Sequence, residues 1–97
     1  MSYNVIVHPS AKKEIIAIKK WCRAKKQGLE IDFVNELKSN INLLKQNPLL
    51  FQVKYNSLRA IALKRFPYLV YYSFNNNTVY IQAVIASKQD QQTILTK

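Results

Sequence analysis

Three apolar runs separated by two turn signals, between Leu58 and Ala86, constrain this chain more than any other feature. The first break is Arg65-Phe66-Pro67-Tyr68, where Pro67 has no N–H to donate to a central ladder and so marks a bend. The second is Asn75-Asn76-Asn77, and Asn tolerates the positive φ that tight hairpin turns require. The runs are crowded with β-branched and aromatic residues, the composition of a pleated and partly buried surface. The pattern predicts a three-stranded antiparallel meander whose first turn carries Lys64 and Arg65.

The residues before it supply what such a meander must be covered with. Tyr3 to His8 reads as a short strand that ends at Pro9, because the residue before a proline is pushed into extended backbone. Pro9 suits the first turn of a helix, with Ser10 as an alternative cap. From Ala11 the period changes: Ala11, Ile15, Ile18 and Cys22 recur at helical spacing, flanked by Ile16 and Trp21. Lys12, Lys13, Lys19, Lys20, Arg23, Lys25 and Lys26 occupy the other faces, and Gly28 is the expected stop. A second helix opens with Glu30 and Asp32, which favour its positive end, and carries Phe33, Val34, Leu37, Ile41 and Leu44 up to Asn47-Pro48. Leu49 to Asn56 reads as a connector anchored by Phe51 and Val53. The polar tail from Ser87 to Lys97 holds at most one helical turn, Gln91 to Leu95. The expected order is β-α-α-β-β-β, an α+β domain over residues 1–97. The first strand joins the edge of an antiparallel sheet, an N-terminal helical hairpin packs on one face, and the other face is left for binding.

Fifteen Lys and Arg stand against five Asp and Glu, a net charge of +10. Such an imbalance points to a polyanionic or acidic partner. No apolar run reaches the ~20 residues of a membrane span, and the N-terminus lacks a signal-peptide layout, so the expected location is cytoplasmic, away from membranes. Cys22 is the single cysteine and His8 the single histidine. They cannot build an ordinary zinc site or a credible nucleophile–His–acid set, and no Gly-rich loop offers a phosphate cradle. Neither a metal nor a cofactor is therefore expected, and Cys22 reads as a structural thiol. What remains is a basic, aromatic sheet. Arg59, Lys64, Arg65, Tyr68, Tyr71, Tyr72 and Tyr80 are the types that hold RNA by phosphate contact and base stacking. Cleaving RNA without a metal also needs groups that move protons; a perturbed Lys or Tyr would have to serve.

The strand, the basic helical hairpin ending in Asn47-Pro48, Arg59, then Arg65-Phe66-Pro67-Tyr68-Leu69-Val70-Tyr71-Tyr72 and Val79-Tyr80-Ile81-Gln82-Ala83-Val84 together resemble the RelE/ParE superfamily of type II toxin–antitoxin toxins. The resemblance runs from Tyr3 to about Asp90, and the Arg-Phe-Pro-Tyr-x-x-x-Tyr element leans towards the ParE-like branch, often labelled plasmid-stabilisation proteins. It implies a small growth-inhibiting toxin neutralised by a cognate antitoxin protein. ParE-like members are associated with inhibition of DNA gyrase. RelE-like members cut mRNA in the ribosome, and usually place an Arg where this chain has Leu69. They also carry basic, His or Tyr residues after the last strand, where this chain has Ala86 to Gln91 with Lys88 its one basic group. The resemblance thus implies target or partner binding through Arg59, Lys64, Arg65, Tyr68, Tyr72 and Lys88. Two alternatives stand beside it: ribosome-dependent mRNA cleavage using Arg59, Lys64, Arg65 and Lys88, and an inactive relative that only binds its antitoxin.

Overall fold

A computed structural model describes residues 3–51, 53–55 and 58–87. Strand β1 spans Asn4–Val7, helix α1 Pro9–Lys25 and helix α2 Leu29–Gln46. A 3-10 turn at Pro48–Leu50 follows, then β2 (Val53–Tyr55), β3 (Leu58–Ala62), β4 (Tyr68–Asn75) and β5 (Thr78–Ala86). The α+β order and the helical hairpin are as the sequence predicts. Lys88 and the tail around Gln91 to Leu95 lie outside the described residues.

The sheet runs β1-β5-β4-β3-β2. The expected meander is present: β3 pairs with β4, and β4 with β5, all antiparallel. The second turn is the tight, positive-φ hairpin turn anticipated, a two-residue loop with Asn76 and Asn77 at φ 47° and 63° between the closing pair Asn75 and Thr78. Two features differ from expectation. The sheet is mixed, because β1 lies parallel to β5 along Asn4 to Val7. And part of the expected connector, Val53–Tyr55, forms a fifth strand against β3.

Helix boundaries follow local chemistry. Pro9 takes the first helical position, so His8, and not Ser10, becomes the N-cap, and its ring nitrogen accepts the Ser10 N–H at 3.2 Å. Gly28 sits just beyond α1 as the N-cap of α2, at φ 89°, a backbone state that a residue with a Cβ adopts reluctantly.

The core lies between the helical hairpin and one face of the sheet. Ala11, Ile18 and Cys22 from α1 and Phe33, Leu37 and Leu44 from α2 meet Ile61, Val70, Tyr72, Val79, Ile81 and Val84 from the strands. Phe33 is fully buried, edge-on to Phe66 at 5.5 Å and to Tyr68 at 6.0 Å between ring centroids. Cys22 is buried too; burial first, and Glu30 second, push its thiol up and away from thiolate reactivity.

The register of β4 against β5 steps from Tyr71↔Ala83 to Tyr72↔Ile81, which leaves Gln82 as a one-residue bulge. The bulge switches parity, so Val79 and Ile81 before it and Val84 after it all face the helices. It also lets Ala83 and Ile85 join Leu69 and Tyr71 in a second buried cluster, with Leu58 and Ala60 packed against it. The face turned from the helices is thus not the open binding face expected; β4 is apolar on both sides and its centre is buried on both.

Beyond Val7, α1 takes over the role of β1 along the edge of β5. The Ser10 hydroxyl reaches the Gln82 carbonyl at 3.3 Å, and the Glu14 carboxylate accepts the Val84 N–H at 2.9 Å. The one acid of α1 is spent on the sheet edge, which leaves the outward face of that helix basic.

Candidate partner-binding surface around the basic turn

The link from β3 to β4 is a loop at Leu63 to Pro67 whose ends are tied by the Leu63 N–H to the Tyr68 carbonyl at 3.0 Å. Leu63 and Phe66 are buried, so they pin the loop while Lys64, Arg65 and Pro67 stay exposed. Glu36, one turn along α2 from Asp32, reaches this loop from the side. Its carboxylate accepts the Lys64 N–H at 2.6 Å and the Arg65 N–H at 3.1 and 3.2 Å to its two oxygens. Two adjacent N–H groups converging on one carboxylate fix the backbone of the turn, and with it the direction in which both basic side chains leave. Asp32 lies 3.5 Å from the Arg65 guanidinium. Both partners are largely exposed there, so the pair is weak and readily exchanged for another anion.

The turn contributes to two grooves. On the α2 side, about 400 Å³ is lined by Asp32, Asn35, Glu36, Ser39, Asn40, Leu43, Lys64 and Arg65. On the α1 side, about 430 Å³ is lined by Glu14, Ala17, Ile18, Trp21, Pro67, Tyr68, Val84, Ile85 and Ala86. Trp21 is half exposed at the rim of this second groove, with the Lys25 ammonium 5.4 Å from its ring centre.

Carboxylate-for-backbone contacts of this kind carry a testable consequence. Glu36→Ala should cost about 1–2 kcal/mol, the worth of charge-assisted hydrogen bonds discounted for partial exposure, read as a lowered urea midpoint at constant m-value.

The candidate residues do not form one cluster. Lys64, Arg65 and Tyr68 gather at the turn. Tyr68 is half buried on Phe33 and presents one side to the Trp21 groove; burial first, and neighbouring Cys22 second, raise its hydroxyl above the ordinary range. Arg59 and Tyr72 face each other across β3 and β4, about 13 Å further along the strand at ~3.3 Å per residue. Tyr72 is fully buried, and its hydroxyl donates to the Pro48 carbonyl at 2.6 Å. Burial raises its pKa, an effect partly offset by Arg59 and a hydrogen bond with the Phe51 backbone. The Arg59 guanidinium donates to the Phe51 carbonyl and lies 5.6 Å from the Phe74 ring centre. This pair clamps the segment after α2 onto the sheet. Tyr72→Phe should therefore destabilise the fold by about 1–2 kcal/mol, by orphaning the buried Pro48 carbonyl, with the loss read in thermal or urea unfolding.

Glu14 and Glu36 hold the edge and the turn, yet neither stood out in the sequence. Each acts across more than twenty residues, and an acid on a helix face looks the same whether it faces solvent or a strand. Among the described residues no three His, Cys, Asp or Glu side chains gather as a metal-binding set. No helix described is long and apolar enough to cross a membrane.

No curated protein matches the chain by sequence. Among solved structures, one chain of the "Chromosomal ParDE TA system from P. aeruginosa" superposes with a TM-score of 0.77 at 12% identity, over 88% of this chain and 96% of that one. At that identity the likeness speaks for the fold. The sequence itself matches the model of the ParE toxin of the type II toxin–antitoxin system parDE over residues 5–91. With nearly the whole chain so matched, the protein belongs to the ParE toxin family of type II toxin–antitoxin systems.

Proposed function

We propose that this protein inhibits growth by binding a DNA-associated target in the cytoplasm, DNA gyrase, and that a cognate antitoxin neutralises it. The observation that carries this reading is the basic turn, held by Glu36 so that Lys64 and Arg65 project as a preformed element. A rigid cationic projection suits recognition, because little order is lost on binding. With it act Tyr68 beside the turn and Lys88. Arg59 and Tyr72 support the surface from within the fold.

Binding is favoured over ribosome-dependent mRNA cleavage because Arg59, which cleavage would use together with Lys64 and Arg65, is engaged by the Phe51 carbonyl away from the turn, and the tyrosines do not supply a base in its place. A tyrosine acts as a base only as its phenolate, and a raised pKa keeps the hydroxyl protonated near neutral pH; both Tyr68 and Tyr72 are shifted that way.

Expression of the chain alone should arrest growth, and coexpression of the antitoxin should restore it; unimpeded growth on expression alone would contradict the toxic role. For the antitoxin we assign the groove at Trp21, whose wall is mostly apolar and beside which the Lys25 ammonium stands over the indole. Trp21 is the single tryptophan, so its emission reports the groove directly. Complex formation should shift that emission to the blue as the indole leaves water. An unchanged spectrum in a formed complex would place the antitoxin elsewhere.

A further inference from the structure

We infer that the outward face of α1 is a second, separate surface, one that binds the phosphate backbone of a nucleic-acid duplex. At about 100° of rotation per residue, Lys12, Lys13, Lys19, Lys20 and Arg23 fall within roughly 120° of arc. That arc points away from buried Ala11, Ile18 and Cys22. Lys12, Lys13, Lys20 and Arg23 are exposed and Lys19 half exposed. No acid shares the arc. Glu14 is turned to the Val84 N–H, and Glu30 reaches its rim only to meet Arg23 at 3.0 Å. Four lysines therefore stand together as a one-sign field, the arrangement that draws in an extended polyanion.

The dimensions fit. From Lys12 to Arg23 the helix rises about 16 Å at ~1.5 Å per residue. Over that length a duplex presents about ten phosphates, at one per ~1.7 Å of axis. The composition separates this partner from an acidic protein. Protein interfaces are built on buried apolar and aromatic anchors and are poor in lysine. Within this arc the one apolar residue is Ile16, whereas the exposed Trp21 lies on the other flank, over the groove. Phosphates need no apolar anchor, and lysine contacts to them carry no sequence information, so binding through this face is sequence-independent.

The test measures affinity of the purified chain for a mixed-sequence 20-base-pair duplex, as DNA in one arm and RNA in the other, over a range of salt. The assay contains neither gyrase nor antitoxin, so it can fail while the proposed toxic role stands, and the reverse. The expected result is salt-sensitive binding in at least one arm, the tighter arm naming the source of the phosphates. Lys13→Gln with Lys20→Gln should reduce the slope of log K against log salt by about 1.8, at ~0.9 for each phosphate no longer neutralised. Lys25→Gln, on the same helix but held over Trp21, should leave the slope unchanged and controls for effects on the helix itself. Circular dichroism establishes that each variant is folded before its slope is read. No salt-sensitive binding in either arm, or a double-variant slope equal to the parent's, would overturn the inference. So would competition by poly-glutamate as effective as that by unlabelled duplex, since the face would then be reading acidity and not phosphate.

Discussion

Phe33→Ala should remove about 3–5 kcal/mol of stability, the range for truncating a buried aromatic. Phe33 is where the two layers of the fold meet. It lies on α2, has no exposed surface, and is edge-on to Phe66 in the basic turn and to Tyr68 at the start of β4. Truncation therefore leaves a cavity beneath the turn, where α2 and the β3–β4 connection would have to collapse together to fill it. A native domain holds only about 5–15 kcal/mol in all, so the variant should unfold at a much lower urea concentration, and marginally at physiological temperature. Phe33→Leu, which keeps an apolar branched side chain, should recover part of the loss. Equal losses for both variants would show that ring geometry, not cavity volume, carries the cost.

Lys64→Ala combined with Arg65→Ala should have the opposite profile: stability kept, toxicity lost. Both side chains are exposed, and the Arg65–Asp32 pair is of the kind worth about 0–1 kcal/mol. The contacts that fix the loop are made by backbone N–H groups to Glu36 and survive the substitution. An arginine at the centre of an interface commonly contributes about 2 kcal/mol or more, roughly 30-fold in affinity. The double variant should thus melt with the parent protein and fail to arrest growth at matched expression. Undiminished arrest would remove the turn from the target surface. Reading the two experiments together separates what the turn presents from what holds it in place.

Much of the sheet was legible because its signals are local. The Asn75-Asn76-Asn77 turn and the break at Pro67 lie inside the stretch they organise, and the helical stripes through Ala11–Cys22 and Phe33–Leu44 are set by period alone. The features that escaped depend on partners distant in the chain. The parallel pairing of β1 with β5 joins residues more than seventy positions apart. The three-residue β2 is too short to show a period of two, and the Gln82 bulge adds one residue in a run where every neighbour suits a strand.

The site was legible in part, for the same reason. Lys64 and Arg65 were marked by their place in a turn, and they are where the turn projects. Tyr72 reads as a contact residue because aromatic side chains on a basic sheet suit base stacking and because the family resemblance implies it; in the fold its hydroxyl is committed to Pro48. Arg59 is likewise occupied by Phe51 and Phe74. The carboxylates that shape the surface, Glu14 and Glu36, gave no signal of their own, since what distinguishes them is the backbone they meet.

The central claim is that a ParE-family fold presents its basic turn to gyrase. The most direct test is DNA supercoiling by purified gyrase in the presence of the purified chain. The account predicts that supercoiling falls with added protein, that cleaved DNA accumulates with the enzyme, and that the Lys64→Ala, Arg65→Ala variant does neither. Supercoiling unchanged at a molar excess of folded, growth-arresting protein, with no cleavage complex, would contradict it.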